Sequence, residues 1–275
     1  MTAPDSRPIP FATAALRVFD LSLSQMLWSR RTVFMALVVG GPVFIAVIVR
    51  LMLLVGLPIA VQPTGPAIFG AMIWGLYVRF AIPVLAVFYG TSLIADEVED
   101  KTITYLFTRP VRRGSVLLGK YLAYLACTAM VVLPSVVLVY FLIVPIKGTG
   151  IAASFPALVK DLGILLLGLA VYGALFAFVG AWFKRPVLTG LVFLFGWEQA
   201  AQLFPGAFKK FTVAHYLQAL VPHAMPQEGL ASLLQGIFRD APSIPAALTT
   251  LALIAGVSLA LAMRTVERKE YVLEQ

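Results

Sequence analysis

The chain has 275 residues, 60% of them hydrophobic and 12% charged, with a formal net charge of +8. Soluble domains are about half apolar and about a quarter charged, so these values and a mean hydropathy of +0.93 exclude soluble, disordered and collagen-like classes. The single cysteine, Cys127, excludes an internal disulfide framework. What remains is an all-α integral membrane protein with room for about five to seven spans of 20 or so residues. The basic excess reads as membrane orientation bias and not as a nucleic-acid face, because it is not clustered on a soluble fold.

In chain order, Phe11–Arg31 sets Ala12, Leu16, Phe19, Leu23, Met26 and Leu27 at helical spacing with arginines near its ends. This pattern predicts an amphipathic helix lying on the inner membrane face. The segment is not a secretory leader: the first long apolar run starts some 30 residues in and has no small-residue cleavage site behind it. Uncharged runs then mark the spans: Thr32–Val49 with 18 residues, Leu51–Val78 with 28, Phe80–Ala95 with 16, Tyr121–Ile146 with 26, Leu162–Phe183 with 22 and Ala241–Met263 with 23. Gly56, Pro58, Pro63, Gly65 and Pro66 divide the second run between two spans. A weaker stretch, Pro186–Phe208, is interrupted only by Glu198. One domain over 1–275 follows, with six transmembrane helices near 33–55, 67–94, 121–144, 162–183, 187–204 and 243–263. The segment 205–240 is expected outside, as short helices broken by Pro205, Pro222 and Pro226.

Orientation follows from the basic residues. With the N-terminus cytoplasmic, 14 of the 21 Lys and Arg lie inside, five outside (Lys147, Lys160, Lys209, Lys210, Arg239) and two within spans (Arg50, Arg79). Both termini are therefore expected in the cytoplasm of a multi-pass protein of the inner membrane. The fourth span carries Gly173, Ala177 and Ala181 four apart, a spacing that lets helix backbones approach.

The inner segment Asp96–Lys120 holds nine of the 34 formal charges in 25 residues. Asp96, Glu97, Glu99 and Asp100 open it, where acids favour a helix N-terminus, and Arg109 closes it before Pro110. Ile103, Leu106 and Phe107 form an apolar patch at helical spacing, so a short amphipathic helix is expected over 96–113. Orientation alone needs no acids; four together on the positive side point to a binding surface. The pattern Glu97-x-Glu99-x-x-Thr102, then Leu106, Pro110-Val111, Arg113 and Gly119-Lys120 resembles the signature loop of ABC-2 type transporter permeases. The plan of six spans, an N-terminal interfacial helix and a long outer segment before the last span is similar to that family too. Lys101 stands where the family usually has glycine. The resemblance implies an exporter permease in which Asp96, Glu97, Glu99, Asp100, Thr102, Leu106, Arg109, Pro110 and Arg113 couple to a separate ATP-binding subunit. It also implies two such ATPases, a second permease subunit (the same or a different chain), and ATP with magnesium held by the partner alone.

Gly114-Ser-Val-Leu-Leu-Gly119-Lys120-Tyr121 nearly matches a phosphate-binding loop, but Tyr121 occupies the position that needs a small hydroxyl for magnesium. No catalytic residues and no cofactor are expected in this chain. Arg50, Arg79 and Glu198 fall within apolar spans, where ionisable groups are costly. Counting ~1.5 Å per residue through a ~30 Å core puts Glu198 roughly 17 Å, Arg79 roughly 12 Å and Arg50 roughly 26 Å above the inner boundary. Arg79 and Glu198 are thus the better-matched pair, as a buried ion pair or as lining of the route, and the resemblance sets the second and fifth spans beside the central path. His215 and His223 lie eight apart with no companion cysteine, a weak metal pattern. A stand-alone secondary transporter would show inverted repeats, and an intramembrane enzyme a cluster of His, Asp and Glu at one depth; neither pattern is visible.

Overall fold

The computed structural model describes residues 10–28, 30–55, 64–94, 113–146, 150–198, 200–201, 207–221 and 242–268. All regular structure among them is helical. Helix α1 spans Phe11–Leu27 and α2 Arg30–Leu54. They are followed by α3 (Gly65–Ile94), α4 (Arg113–Ile143), α5 (Ile151–Trp182) and α6 (Pro186–Glu198). A 3₁₀ turn at Ala207–Phe211 leads into α7 (Val213–Leu220), and α8 covers Ile244–Arg268.

Five helices are long and apolar enough to cross a bilayer, at 23 to 32 residues each: α2 from Thr32, α3, α4, α5 and α8. The expected fifth span, 187–204, is described only in part: α6 is a shorter apolar helix, Ala200 and Ala201 are helical, and residue 199 and residues 202–206 lie outside the described residues. Helix ends also differ from the apolar runs that announced them. Helix α4 begins at Arg113 and α5 at Ile151, each about two or three turns upstream of the uncharged stretch. A helix continues past the hydrocarbon edge wherever its charged first turns meet water, so hydropathy marks the bilayer and not the helix. Helix α1 stops at Leu27, earlier than Arg31. The Thr32 hydroxyl donates to the carbonyls of Met26 at 2.6 Å and Leu27 at 3.0 Å, satisfying acceptors that the helix end leaves open.

Helix α4 is the hub, packing on α1, α2, α5 and α8, while α5 packs on α3, α4, α6 and α8. The short connection between α4 and α5 makes them antiparallel, and Tyr140 closes it with a hydrogen bond to the Ile151 carbonyl at 2.5 Å. Tyrosines supply much of the interior: Tyr77, Tyr89, Tyr124, Tyr140 and Tyr172 are among the largest fully buried side chains. Tyr121 donates to the Ala170 carbonyl at 2.8 Å and Tyr124 to that of Leu169 at 3.1 Å, tying α4 to α5. Such interhelical bonds contribute about 0.6–2 kcal/mol each in a bilayer. The close approach read from Gly173 is real, since a Cβ there would overlap the Tyr124 ring. Gly180 plays the same part against the Thr91 backbone of α3. Outward, α2 and α8 expose Leu37, Phe44, Leu54, Leu253 and Val257, an apolar surface that only lipid or another apolar surface can cover.

Helix α3 is not uniformly α. Its turns widen to π geometry at Ile73–Ala81 and Ala86–Gly90, and the Ile82 amide donates five residues back, to the Tyr77 carbonyl. Pro83 gives the local reason: it has no N–H and its ring crowds the carbonyl four residues earlier, that of Arg79.

Candidate functional site

Two places concentrate the residues that the sequence singles out. The first is one end of the bundle. Asp96, Glu97, Glu99, Asp100, Thr102, Leu106, Arg109 and Pro110 lie outside the described residues, and only Arg113 falls within them, as the first residue of α4. The flanks are well defined. On one side, Thr91 near the end of α3 abuts Gly180 near the end of α5. On the other, Gly114 abuts α8: a Cβ there would sit 2.9 Å from Glu267 Oε1 and 3.7 Å from Met263 Cβ. Gly119 abuts α1, where a Cβ would sit 2.5 Å from the Ala15 carbonyl and 2.8 Å from Val18 Cβ. The run from Gly114 to Lys120 is helical, and Gly119 is set by the backbone of α1, whereas Gly114 meets only the flexible end of Glu267 at short range. The ends of α3, α5 and α8, the start of α4 and the docked α1 all share this end of the bundle.

The second place is mid-bundle. Arg79 is at the midpoint of α3, and Glu198 is the last residue of the turn Phe193–Glu198 in α6; both stand in π-helical turns. Glu198 is 2% exposed. Its Oε1 accepts from the Tyr172 hydroxyl at 2.5 Å and from the Ala214 amide at 2.9 Å. Arg79 lies within electrostatic range of both Glu198 and Tyr172. Burying a carboxylate in apolar surroundings requires such donors, and its position at the first turn of α7 adds a favourable interaction with the helix dipole. Helix α7 is itself drawn into the bundle, packing on α5, α8 and the π turn of α3. Its Leu217 is fully buried, with Cδ1 3.3 Å from where a Gly168 Cβ would stand and Ile82 Cδ1 3.5 Å from the same point. Counting ~1.5 Å per residue, Tyr172 lies about 15 Å from the Trp182 end of α5 and Gly168 about 21 Å. Helix α7, the described helix within the segment expected as an outer cap, therefore packs at the middle of the bundle.

Sequence reasoning reached Arg79 and Glu198 through depth but missed Tyr172 and Ala214, the groups that bond the carboxylate. An aromatic in an apolar span and a backbone amide carry no distinguishing pattern in a sequence. It also missed Asp161, fully buried on α5, because that residue served as the border of the uncharged run. Arg50 is half-buried near the end of α2. His215 sits half-buried on α7, beside Tyr216 with ring centroids 5.3 Å apart. His223 lies outside the described residues.

A bundle of long apolar helices with lipid-ready outer faces defines a multi-pass membrane protein. The family model for ABC-2 family transporter protein matches residues 12–271. The chain belongs to that family, the membrane permeases of ABC transporters. No curated protein matches it significantly.

Proposed function

We propose that this chain is the membrane-spanning subunit of an ATP-driven exporter in the cytoplasmic membrane. Two permease subunits would combine with two copies of a separate ATP-binding subunit, which holds ATP and magnesium. The segment 96–113 is then the coupling element, with its acids and Arg109 and Arg113 in charge-assisted contacts with the ATPase. The observation that carries this reading is how the flanks of that segment are tied. On one flank, α4 meets α8 beside Gly114 and α1 at Gly119 within two turns of Arg113; on the other, Thr91 of α3 meets α5 at Gly180.

Six crossings are supported by parity. The end of α8 meets the start of α4, which is level with the end of α5, so the start of α8 is at the opposite end. That arrangement supports an odd number of crossings between Trp182 and Ile244, one on this reading, with α6 and the residues after it as the route. Contacts of α4 with both α1 and the end of α8 favour a shared side for those two, and the 14-to-5 basic bias favours the cytoplasm for that side. Helix α1 would lie in the inner interface, with Leu16, Leu21 and Trp28 exposed towards lipid. Arg79 and Glu198 would border the transport route.

The test is co-purification. In a Glu97→Lys, Glu99→Lys double variant, loss of charge pairing at a partly desolvated interface costs ~2–5 kcal/mol. The permease should still insert but lose its ATP-binding partner. Undiminished co-purification and ATPase activity would remove the coupling assignment.

A further inference from the structure

Helix α7 has eight residues, too few to hold a helix unaided, so its position depends on its anchors. There are two. At its first turn, the Ala214 amide ends on Glu198 Oε1, the same oxygen that takes the Tyr172 hydroxyl. One turn later, Leu217 fills the space that Gly168 leaves beside Ile82. Oε1 accepts both bonds, the Val213 amide in the same first turn of α7 also favours the carboxylate, and Oε2 is buried with no hydrogen-bond partner among the described residues. The carboxylate is therefore held chiefly by Tyr172 and by the first turn of α7.

We propose that Glu198 is a positioning residue that latches α7 between α3, α5 and α6, and that release of this latch opens the bundle at the end opposite the coupling segment. The proposal rests on the transport reading above for its purpose, though not for its geometry. Glu198 is the last residue of the π-helical turn Phe193–Glu198. A π turn holds a residue more than an α turn, so tightening it rotates Glu198 away from Ala214 without unwinding α6. The other end of α6 follows α5 after three residues, on the side where the flanks of the coupling segment lie. A single helix therefore leads from the coupling end to the latch.

The experiment uses the full chain in membrane vesicles with Cys127→Ser, a cysteine at Leu217 (Leu217→Cys) and a membrane-impermeant maleimide. Val136→Cys, on a fully buried position of α4, is the reference. Glu198→Ala and the milder Tyr172→Phe each remove part of the anchor and should raise labelling at 217 about ten-fold, with 136 still protected; ten-fold corresponds to about 1.4 kcal/mol. Glu198→Gln keeps an Oε1 acceptor and should label like the parent. Protection of 217 in both Glu198→Ala and Tyr172→Phe would overturn the latch. So would labelling of 217 and 136 together in both, since Glu198 would then hold up the fold at large. Selective labelling of 217 from the cytoplasmic face would uphold the latch and refute the proposed orientation.

Discussion

Gly173→Ala is a one-carbon test of how α4 and α5 are joined. The new Cβ would overlap Tyr124 Cε1 and stand 2.9 Å from Cζ and 3.0 Å from the hydroxyl. The ring has little freedom to yield: Tyr124 is fully buried, its hydroxyl is bonded to the Leu169 carbonyl, and Tyr121 packs beside it with centroids 6.2 Å apart. Overpacking of this kind costs about 1–3 kcal/mol, and a ring that swings aside also forfeits an interhelical bond of about 0.6–2 kcal/mol. The expected loss is roughly 2–4 kcal/mol, or a fall in Tm of roughly 5–15 °C at this chain length. Cys127, fully buried one turn along α4 from Tyr124, is a built-in reporter: a thiol-reactive dye becomes fluorescent as heating exposes it. Tyr124→Leu should cost stability by itself yet recover part of the loss in the Gly173→Ala background, with a coupling of about 0.5–3 kcal/mol. An unchanged Tm for Gly173→Ala, or strictly additive losses in the double variant, would refute the contact as the reason for glycine at this position.

Two further outcomes are expected. In a Cys127→Ser background, a cysteine at Thr64, just before α3, should react with an external impermeant reagent, whereas one at Thr108 should not; the reverse result in intact cells would invert the topology. Arg79→Gln and Glu198→Gln should each lower stability by leaving the other charge uncompensated, and the double variant should recover part of it, by about 0.5–3 kcal/mol. Glutamine keeps the Oε1 acceptor for Tyr172 and Ala214, so the cycle measured by thermal unfolding isolates the charge effect; additive losses would dissolve the pair.

How far the chain could be read ahead of its structure depended on which property each residue contributes. Partition into a bilayer is additive along a helix, so uncharged runs located α2, α3, α4, α5 and α8 without knowledge of their neighbours. Where those helices end is a different quantity. Lys160 is exposed and Asp161 buried on the same turn of α5, a helix face that a charge count treats as a border. The fifth span read weakly because Glu198 interrupts its apolar run, and that carboxylate is the group that binds α7. Depth arithmetic brought Arg79 and Glu198 to a common level, because rise per residue is nearly constant. It could not supply Tyr172 or the Ala214 amide, since a hydrogen bond between elements depends on rotation about the helix axis and on a backbone group that every residue possesses. The two glycines at 114 and 119 teach the converse. Their spacing beside a lysine suggests phosphate chemistry, and Tyr121 was enough to reject that, but Gly119 answers to contact: it lacks a Cβ where the Ala15 backbone of α1 presses on α4, while Gly114 lies beside the Glu267 side chain of α8. That contact joins the site legible only in sequence, the acidic segment 96–112, to the site legible only in structure, the seat of α7. Arg113 starts the helix that α8 grips, α8 packs on α7, and α7 ends on Glu198.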